Sequence, residues 1–211
     1  MDTGTAGGLP RLTRKGRATR ERIVAVAAGL MFERGVAVTS IDDVRSAAEV
    51  SSSQLYHYFD GKRELVRAVI AHQTEAVLAA QQPQLSRLDS IEGLQTWRDL
   101  VLGVQAGRNG AGGCPIGSLA AELAEIDPEA RLDLADGLGR WAGAIRDGLA
   151  AMRARGDLDE SADPDRLAMV TLAALQGGLL LAQVHRDTAP LQAALDAAIA
   201  HIRSFEVAVA G

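Results

Sequence analysis

The sequence predicts an all-α protein of about nine helices, divided between a small N-terminal unit and a larger body. Only 3% of the 211 residues are aromatic, and no stretch alternates apolar and polar residues as a half-buried strand does. Apolar residues recur instead at intervals of three and four, the period of an amphipathic helix. Four predicted helices also carry proline near their first residue, where its missing N–H costs nothing.

The first four predicted helices follow one another closely. The first begins at Thr19 and ends before Gly35, a common stop signal. Thr39 and Ser40 both offer a side-chain cap for a short second helix. A third short helix starts after Val50, following a tight connection, and a longer fourth helix comes next. The pattern predicts a compact unit of three helices, followed by a fourth helix that connects it to the rest of the chain.

Beyond about residue 82 the predicted helices are longer. They cover residues 90–106, 115–125, 128–154, 164–184 and 190–207. The glycine-rich residues 107–113 are predicted to form a loop. A chain of this length can build one large core or a small domain followed by a medium one.

Charge is divided between the two parts of the chain. Residues 1–72 hold 11 Lys/Arg against 8 Asp/Glu, a net charge of +3, whereas the other 139 residues hold 11 against 19, a net charge of −8. Within residues 11–22, six basic side chains accompany one acid, Glu21. A basic arm on a small unit suits a polyanionic partner at one end of the molecule. The alternative is a solvated tail with no partner.

The third predicted helix is rich in hydrogen-bonding side chains. If Leu55 and Phe59 point inward, Ser53 and His57 fall on the opposite face, with other polar side chains on the flanks. Two short helices joined by a tight turn are typical of a helix-turn-helix, whose second helix reads bases in a major groove. A merely solvated face is the alternative, but such faces usually contain Lys and Glu, and this one has neither.

Residues 19–70 resemble the N-terminal domain of the TetR family of bacterial transcriptional regulators. The resemblance is carried by RERIVAVAAGLMFERG and by TSIDDVRSAAEVSSSQLYHYFDGKRELVRAVI, which includes LYHYF and the lysine three residues after it. It implies an all-α homodimer in which three helices bind a double-stranded DNA operator and the last two helices pair across the dimer axis. The implied DNA contacts are Ser51, Ser52, Ser53, Gln54, Tyr56, His57 and Lys62, with Thr39 and Ser40 on phosphates.

One position departs from that family pattern. Glu49 stands in the turn where the family often has glycine. A left-handed residue there would cost a non-glycine about 1 kcal/mol, so we expect a slightly different turn.

The resemblance also implies a division of the chain and a ligand. We expect a flexible basic arm at residues 1–16, a helix-turn-helix domain at 17–62, and a ligand-binding and dimerisation domain at 63–211. The ligand is expected to be a small hydrophobic molecule of unknown identity. Candidates for its chamber are polar or aromatic side chains on apolar helices, for each of which packing or surface exposure is the alternative: His72, Trp97, Trp141 and Gln176.

Cys114 is the fifth ligand-contact candidate and the only cysteine. Pro115 occupies a first helical position, which puts Cys114 at the N-cap, where a thiolate is favoured. The segment resembles the same helix start in a subset of TetR-type regulators, some of which sense electrophiles or oxidants through a cysteine. The alternative is a small packed side chain beside the chamber.

The sequence gives little support to an enzyme. It contains no metal-ligand cluster, no phosphate-binding glycine loop and no nucleophile elbow, so we predict neither a cofactor nor a metal. The alternatives left open are a small cysteine-dependent enzyme and a ligand-independent DNA-binding protein.

We predict a cytoplasmic protein that does not span a membrane. A single cysteine gives no support to an oxidising compartment, and the first residues lack the apolar stretch of a secretory signal. The apolar run at residues 167–184 is interrupted by Thr171 and Gln176, which favours a buried helix or a subunit interface.

Overall fold

The computed structural model describes residues 12–207, and within them the chain forms nine α-helices and no strand. The helices are α1 (Arg14–Arg34), α2 (Ile41–Ala47), α3 (Ser52–Tyr58), α4 (Lys62–Ala80), α5 (Ile91–Ala106), α6 (Pro115–Leu123), α7 (Pro128–Arg155), α8 (Pro164–His185) and α9 (Ala189–Arg203). A short 3-10 turn at Gln84–Ser86 lies between α4 and α5. The predicted fold class is confirmed.

The first helix begins earlier than the sequence predicted. The Thr13 side chain caps α1, so helical structure starts at Arg14 rather than at Thr19. Residues 14–16 of the predicted arm are therefore helical, and its residues 1–11 lie outside the described part of the chain.

Helices α1, α2 and α3 pack around a small core of their own. Ile23, Leu55 and Phe59 are each at most 1% exposed, and every such side chain removed from water contributes roughly 1.5–3 kcal/mol. The Arg22 side chain on α1 also donates a hydrogen bond to the carbonyl of Ala48 at the end of α2. This contact holds the second helix against the first.

The turn between α2 and α3 is left-handed at Glu49, whose φ is +50°. The N–H of Glu49 donates to the carbonyl of Ser46, and the N–H of Val50 donates to the carbonyl of Arg45, both at 3.2 Å. These two hydrogen bonds form the Schellman ending of a helix, in which glycine normally takes the left-handed position. The turn thus has the geometry in which glycine is usual although residue 49 is glutamate, and the slightly different turn expected from the sequence is not observed.

Helix α4 connects the small unit to the body. It packs against α1, α6 and α7, and the side chains that it buries are Leu65, Val66, Val69, Ile70 and Thr74. Where α4 crosses α7, a Cβ added at Gly137 would lie 2.5 Å from Oγ1 of Thr74. The absence of a side chain at Gly137 allows the two helices to touch there.

The body is closed by α7, α8 and α9. Helix α8 packs against both of the others, and a Cβ at Gly178 would lie 2.8 Å from Cα of Leu191, so α9 approaches α8 very closely. Among residues 12–207, α8 is the one helix long and apolar enough to cross a membrane by length and composition. In the fold, 44% of the most apolar stretch of this helix is buried.

Candidate DNA-binding surface and ligand cavity

Helix α3 presents a polar surface to solvent. The side chains predicted to contact DNA from this helix and its cap are all exposed: Ser51, Ser52, Ser53, Gln54, Tyr56 and His57. Leu55 and Phe59 are buried, which confirms the pair predicted to point inward. Tyr56 is 56% exposed although it is aromatic. The exposed face therefore consists of hydroxyl, amide, imidazole and phenol groups.

Two of these side chains also hold the start of α3. The Ser51 hydroxyl accepts a 3.2 Å hydrogen bond from the N–H of Gln54, and Oε1 of Gln54 accepts a 2.9 Å hydrogen bond from the N–H of Ser51. This reciprocal arrangement is a capping box. The amide NH₂ of Gln54 stays available as a donor. At the other end of the helix, the His57 ring packs edge-to-face on Tyr58, with ring centroids 5.0 Å apart.

The two residues predicted to contact phosphates are placed differently from that expectation. Thr39 is 1% exposed, and its hydroxyl donates a 2.8 Å hydrogen bond to the carbonyl of Gly35, so its side chain is not free to bind a phosphate. Ser40 is exposed, but its hydroxyl donates to Oδ2 of Asp43 at 2.5 Å. Hydrogen bonds from the Ser40 side chain and backbone lower the pKa of Asp43. A carboxylate therefore occupies the place expected for a phosphate.

Lys62 begins α4 beside the connection between α1 and α2. Its Nζ lies 3.4 Å from the carbonyl oxygen of Ala37, a long hydrogen bond that leaves the ammonium further donors. Lys62 is half-buried, so its stem is held while its charge can reach solvent.

The same connection is held from the body by Glu122 on α6. Oε2 of Glu122 accepts hydrogen bonds from the N–H of Val36 at 2.7 Å and from the N–H of Ala37 at 3.4 Å. The carbonyl of Ala37 thus accepts a hydrogen bond from Lys62, and the N–H of Ala37 donates one to Glu122. Helices α4 and α6 therefore both hydrogen-bond this one peptide segment of the α1–α3 unit.

Ion pairs join the first turns of α4 to the beginning of α7. Arg63 pairs with Asp127 at 3.1 Å, and Arg67 pairs with Asp133 at 2.6 Å and with Glu129 at 3.2 Å. The hydrogen bond from Arg63 is the largest cause that lowers the pKa of Asp127. Exposed pairs add little stability individually, but they fix the orientation of α4 on the body.

A cavity of about 320 Å³ lies in the body where α4, α5, α7 and α8 meet the start of α6. Its wall is mainly aliphatic, with side chains that include Val77, Leu100, Val101, Leu175 and Leu179. Its size is near the lower end of the range for small-molecule sites, roughly 300–1,000 Å³. The cavity can therefore hold a compact, largely apolar molecule.

The structure brings two of the five proposed ligand contacts into this wall. Cys114 and Trp141 line the cavity, whereas His72 is exposed on the outside of α4. Trp97 is 0% exposed and donates a 2.7 Å hydrogen bond to Gln81, so it supports the wall from behind. Gln176 also lies outside the lining and donates to Sγ of Cys114 at 3.5 Å.

Cys114 is the N-cap of α6, as its position before Pro115 predicted. Cys114 is 8% exposed, and its Sγ accepts hydrogen bonds from the N–H of Gly117 at 3.4 Å and from Gln176. The cap therefore both starts α6 and contributes to the cavity wall.

Sequence reasoning missed the glutamines of the wall, Gln73, Gln81 and Gln105. Gln105 is 5% exposed, and its Oε1 has no hydrogen-bond partner in the described residues. Nε1 of Trp141 is likewise buried without a partner there. A glutamine four residues after a buried Val101 on the apolar face of a helix was the signal that could have identified Gln105.

No group of three His, Cys, Asp or Glu side chains within residues 12–207 is arranged to hold a metal ion. The described residues contain two candidate sites, which are the polar face of α3 and the separate cavity in the body.

Two family models match the chain. Residues 23–69 match the model described as bacterial regulatory proteins, tetR family, and residues 90–198 match the model described as tetracyclin repressor-like, C-terminal domain. The first covers the α1–α4 region with its polar helix, and the second covers most of the body with its cavity.

Individual proteins are similar over most of their length. An HTH-type transcriptional regulator of Mycobacterium tuberculosis is 32% identical over 82% of this chain and 88% of its own. The HTH-type transcriptional repressor DhaR of a Mycobacterium species is 24% identical over 82% of this chain and 86% of its own. The crystal structure of a TetR transcriptional regulator from Chloroflexus aurantiacus superposes with a TM-score of 0.75, at 28% identity, over 90% of this chain and 96% of that one.

Proposed function

Because the chain belongs to the TetR family of bacterial transcriptional regulators, we propose that it is a cytoplasmic repressor that leaves its operator when a small ligand enters the cavity. The protein is a DNA-binding transcriptional regulator with an N-terminal helix-turn-helix. The proposed ligand response is based on the position of α6 between the cavity and the α1–α2 connection. This helix starts in the cavity wall at Cys114 and Pro115 and ends where Glu122 holds the connection between α1 and α2.

The proposed operator contacts lie on α3 and at the start of α4. The exposed side chains suited to bases and phosphates are those of Ser51, Ser52, Ser53, Tyr56 and His57, and Gln54 offers its amide NH₂. Lys62 supplies a positive charge for the backbone. Thr39 is omitted from this set because its hydroxyl is buried, and Ser40 contributes only if it leaves Asp43.

The proposed repressor is a homodimer built through α8 and α9. Several large apolar side chains of α8 are exposed to solvent in the single chain. They are Met169, Val170, Leu180, Leu181 and Val184. Such a concentration of exposed apolar side chains on one helix is typical of an interface. A two-fold dimer would place two α3 helices about 34–36 Å apart, in successive major grooves.

Release follows if the ligand favours a different position of α6. A ligand changes operator affinity by the ratio of its affinities for the two conformations. A shift of α6 away from the cavity would move Glu122, and with it the N–H groups of Val36 and Ala37. No covalent chemistry is required.

The first test is binding to duplex DNA from upstream of the protein's own gene, followed by fluorescence anisotropy. We expect Lys62→Ala to weaken binding to all sequences and to reduce its salt dependence, because a phosphate contact is lost. Gln54→Ala and His57→Ala should instead alter base preference. Identical behaviour of the three variants in a salt titration contradicts the assignment.

The second test is a thermal-shift screen of small apolar compounds, repeated with that DNA present. A compound that raises the melting temperature should also displace the protein from DNA. The two alternatives give other results: a cysteine-dependent enzyme binds no operator, and a ligand-independent DNA-binding protein keeps its operator whatever compound is bound.

A further inference from the structure

We propose that the cavity takes a small, neutral, mostly apolar molecule that carries a hydroxyl group. This inference rests on the proposed function only in taking the cavity as the ligand site, and it adds the chemical class of the ligand. Two buried polar atoms in the wall carry it.

These atoms are Nε1 of Trp141, a donor, and Oε1 of Gln105, an acceptor. Trp141 is 3% exposed and Gln105 is 5% exposed, both side chains line the cavity, and neither atom has a hydrogen-bond partner among residues 12–207. Buried polar atoms are nearly always paired, because an unpaired one loses its hydration without compensation. Both atoms belong to side chains that line one cavity, so a ligand whose entry turns these side chains toward it would supply the missing acceptor and donor.

The neighbouring glutamine in the wall is already paired. Oε1 of Gln81 accepts the 2.7 Å hydrogen bond from Trp97, and its Nε2 donates to the carbonyl of Val77 at 2.9 Å. Gln81 therefore serves the wall itself, which leaves Gln105 and Trp141 for the ligand.

The charges around the cavity favour a neutral ligand. Among the described lining residues Arg108 is the one charged side chain, it is exposed at the loop, and no carboxylate accompanies it. A cation would be buried with no opposite charge, which is costly. A carboxylate would meet the acceptor Oε1 of Gln105, and Arg108, the one opposite charge in the described lining, lies exposed at the loop. A hydroxyl both donates and accepts, so it suits Trp141 and either orientation of the Gln105 amide.

Four eight-membered-ring probes of similar size separate these chemistries: cyclooctanol, cyclooctanone, cyclooctanecarboxylate and cyclooctylammonium. Affinities are measured by calorimetry with the full-length protein free of DNA. We expect the alcohol to bind roughly three- to tenfold more tightly than the ketone, which lacks a donor, and more tightly than either ion. Equal affinities of alcohol and ketone, tighter binding of either ion, or no binding of the alcohol would overturn the proposal.

Three variants assign the effect to the named atoms. Trp141→Phe keeps an aromatic ring without the N–H, and Gln105→Met keeps the length of the side chain without the amide. Each should weaken cyclooctanol binding roughly three- to tenfold, and Gln105→Met should abolish the preference for alcohol over ketone. Gln95→Met, at an exposed position on the same helix, is the matched control and should bind like the wild type. Circular dichroism establishes that each variant is folded.

The experiments distinguish a failure of the proposed function from a failure of this inference. If cyclooctanol binds as expected but does not displace operator DNA, the ligand class stands and the release mechanism is wrong. If operator is released only by ligands that lack a hydroxyl, the release mechanism stands and the ligand class is wrong.

Discussion

At Glu49 the backbone is left-handed, and the side chain adds strain that glycine would avoid. We expect Glu49→Gly to raise the free energy of unfolding by about 1 kcal/mol, and the melting temperature by roughly 2–4 °C. Glu49→Ala is the control, because it removes the carboxylate and keeps the strained Cβ. Thermal melts of the three proteins check this, and an equal gain in both variants would show that charge rather than backbone strain is responsible.

The buried thiol of Cys114 supports a second prediction. Cys114 is 8% exposed and lines the cavity, so a small neutral alkylating reagent should reach it more readily than a large charged one. We expect the adduct to fill part of the cavity and to lower operator affinity. Cys114→Ser should bind operator normally and lose that response. Mass spectrometry and anisotropy follow modification and binding together. An alkylated protein that keeps its operator affinity would leave Cys114 with only its structural role as the cap of α6.

Residue-level prediction succeeded where local periodicity decides orientation. The outward face of α3 follows from Leu55 and Phe59 alone, because a short helix resting on one core has a single buried side. The lining of the cavity does not follow in this way. Trp97 and Gln176 lie on apolar helices as predicted, but neighbouring helices decide which buried side chains reach the cavity and which lie behind its wall.

At the scale of elements, α6 is short and has contacts of two kinds. Its start lines the cavity, and its Glu122 holds the connection between α1 and α2. The sequence predicted a helix here but gave no sign of the contact with that connection. Glu122 lies more than eighty residues along the chain from Val36, and a lone acid on a helix is normally read as a solvated one.

We expect Glu122→Ala to weaken the coupling between ligand and operator binding by about fivefold, since a charge-assisted hydrogen bond to a half-buried acceptor is lost. Ligand affinity of the DNA-free protein should be unchanged. Glu125→Ala removes an exposed acid close to the same helix end and is the matched control. Coupling is measured as the ratio of operator affinities with and without ligand. An unchanged ratio in Glu122→Ala would remove α6 from the release mechanism.

For the whole molecule, the proposed dimer depends on the exposed apolar side chains of α8. Leu180 is 60% exposed in the single chain, and we expect Leu180→Arg to dissociate the dimer because an unpaired charge would be buried at the interface. Leu132→Arg, at a leucine 62% exposed on α7, is the matched control. Sedimentation velocity measures the mass of each variant. A dimer that persists in Leu180→Arg would place the interface elsewhere.

The all-α architecture could be predicted from the sequence because its helices are marked by period and by proline near their starts. The sequence did not show how the small unit is fixed to the body. That attachment includes contacts between residues distant in sequence, such as Glu122 with Val36 and Arg63 with Asp127, and single charged side chains have no periodic signal.

Helix α4 crosses α7 at Thr74 and Gly137, and the parts of α4 on the two sides of this contact differ in length. From Thr74 the helix runs about 18 Å to Lys62 beside the DNA-binding unit and only about 9 Å to Ala80 in the cavity wall, at the rise of an α-helix. If α4 and α7 stay in contact at Gly137, a push on Ala80 would turn α4 about this point and would strain the ion pairs of Arg63 and Arg67 with α7. A displacement of about 1 Å at the cavity would then become about 2 Å in the opposite direction at Lys62. In the proposed dimer, the position of this one glycine would convert a slight expansion of the cavity into a larger change in the distance between the two α3 helices.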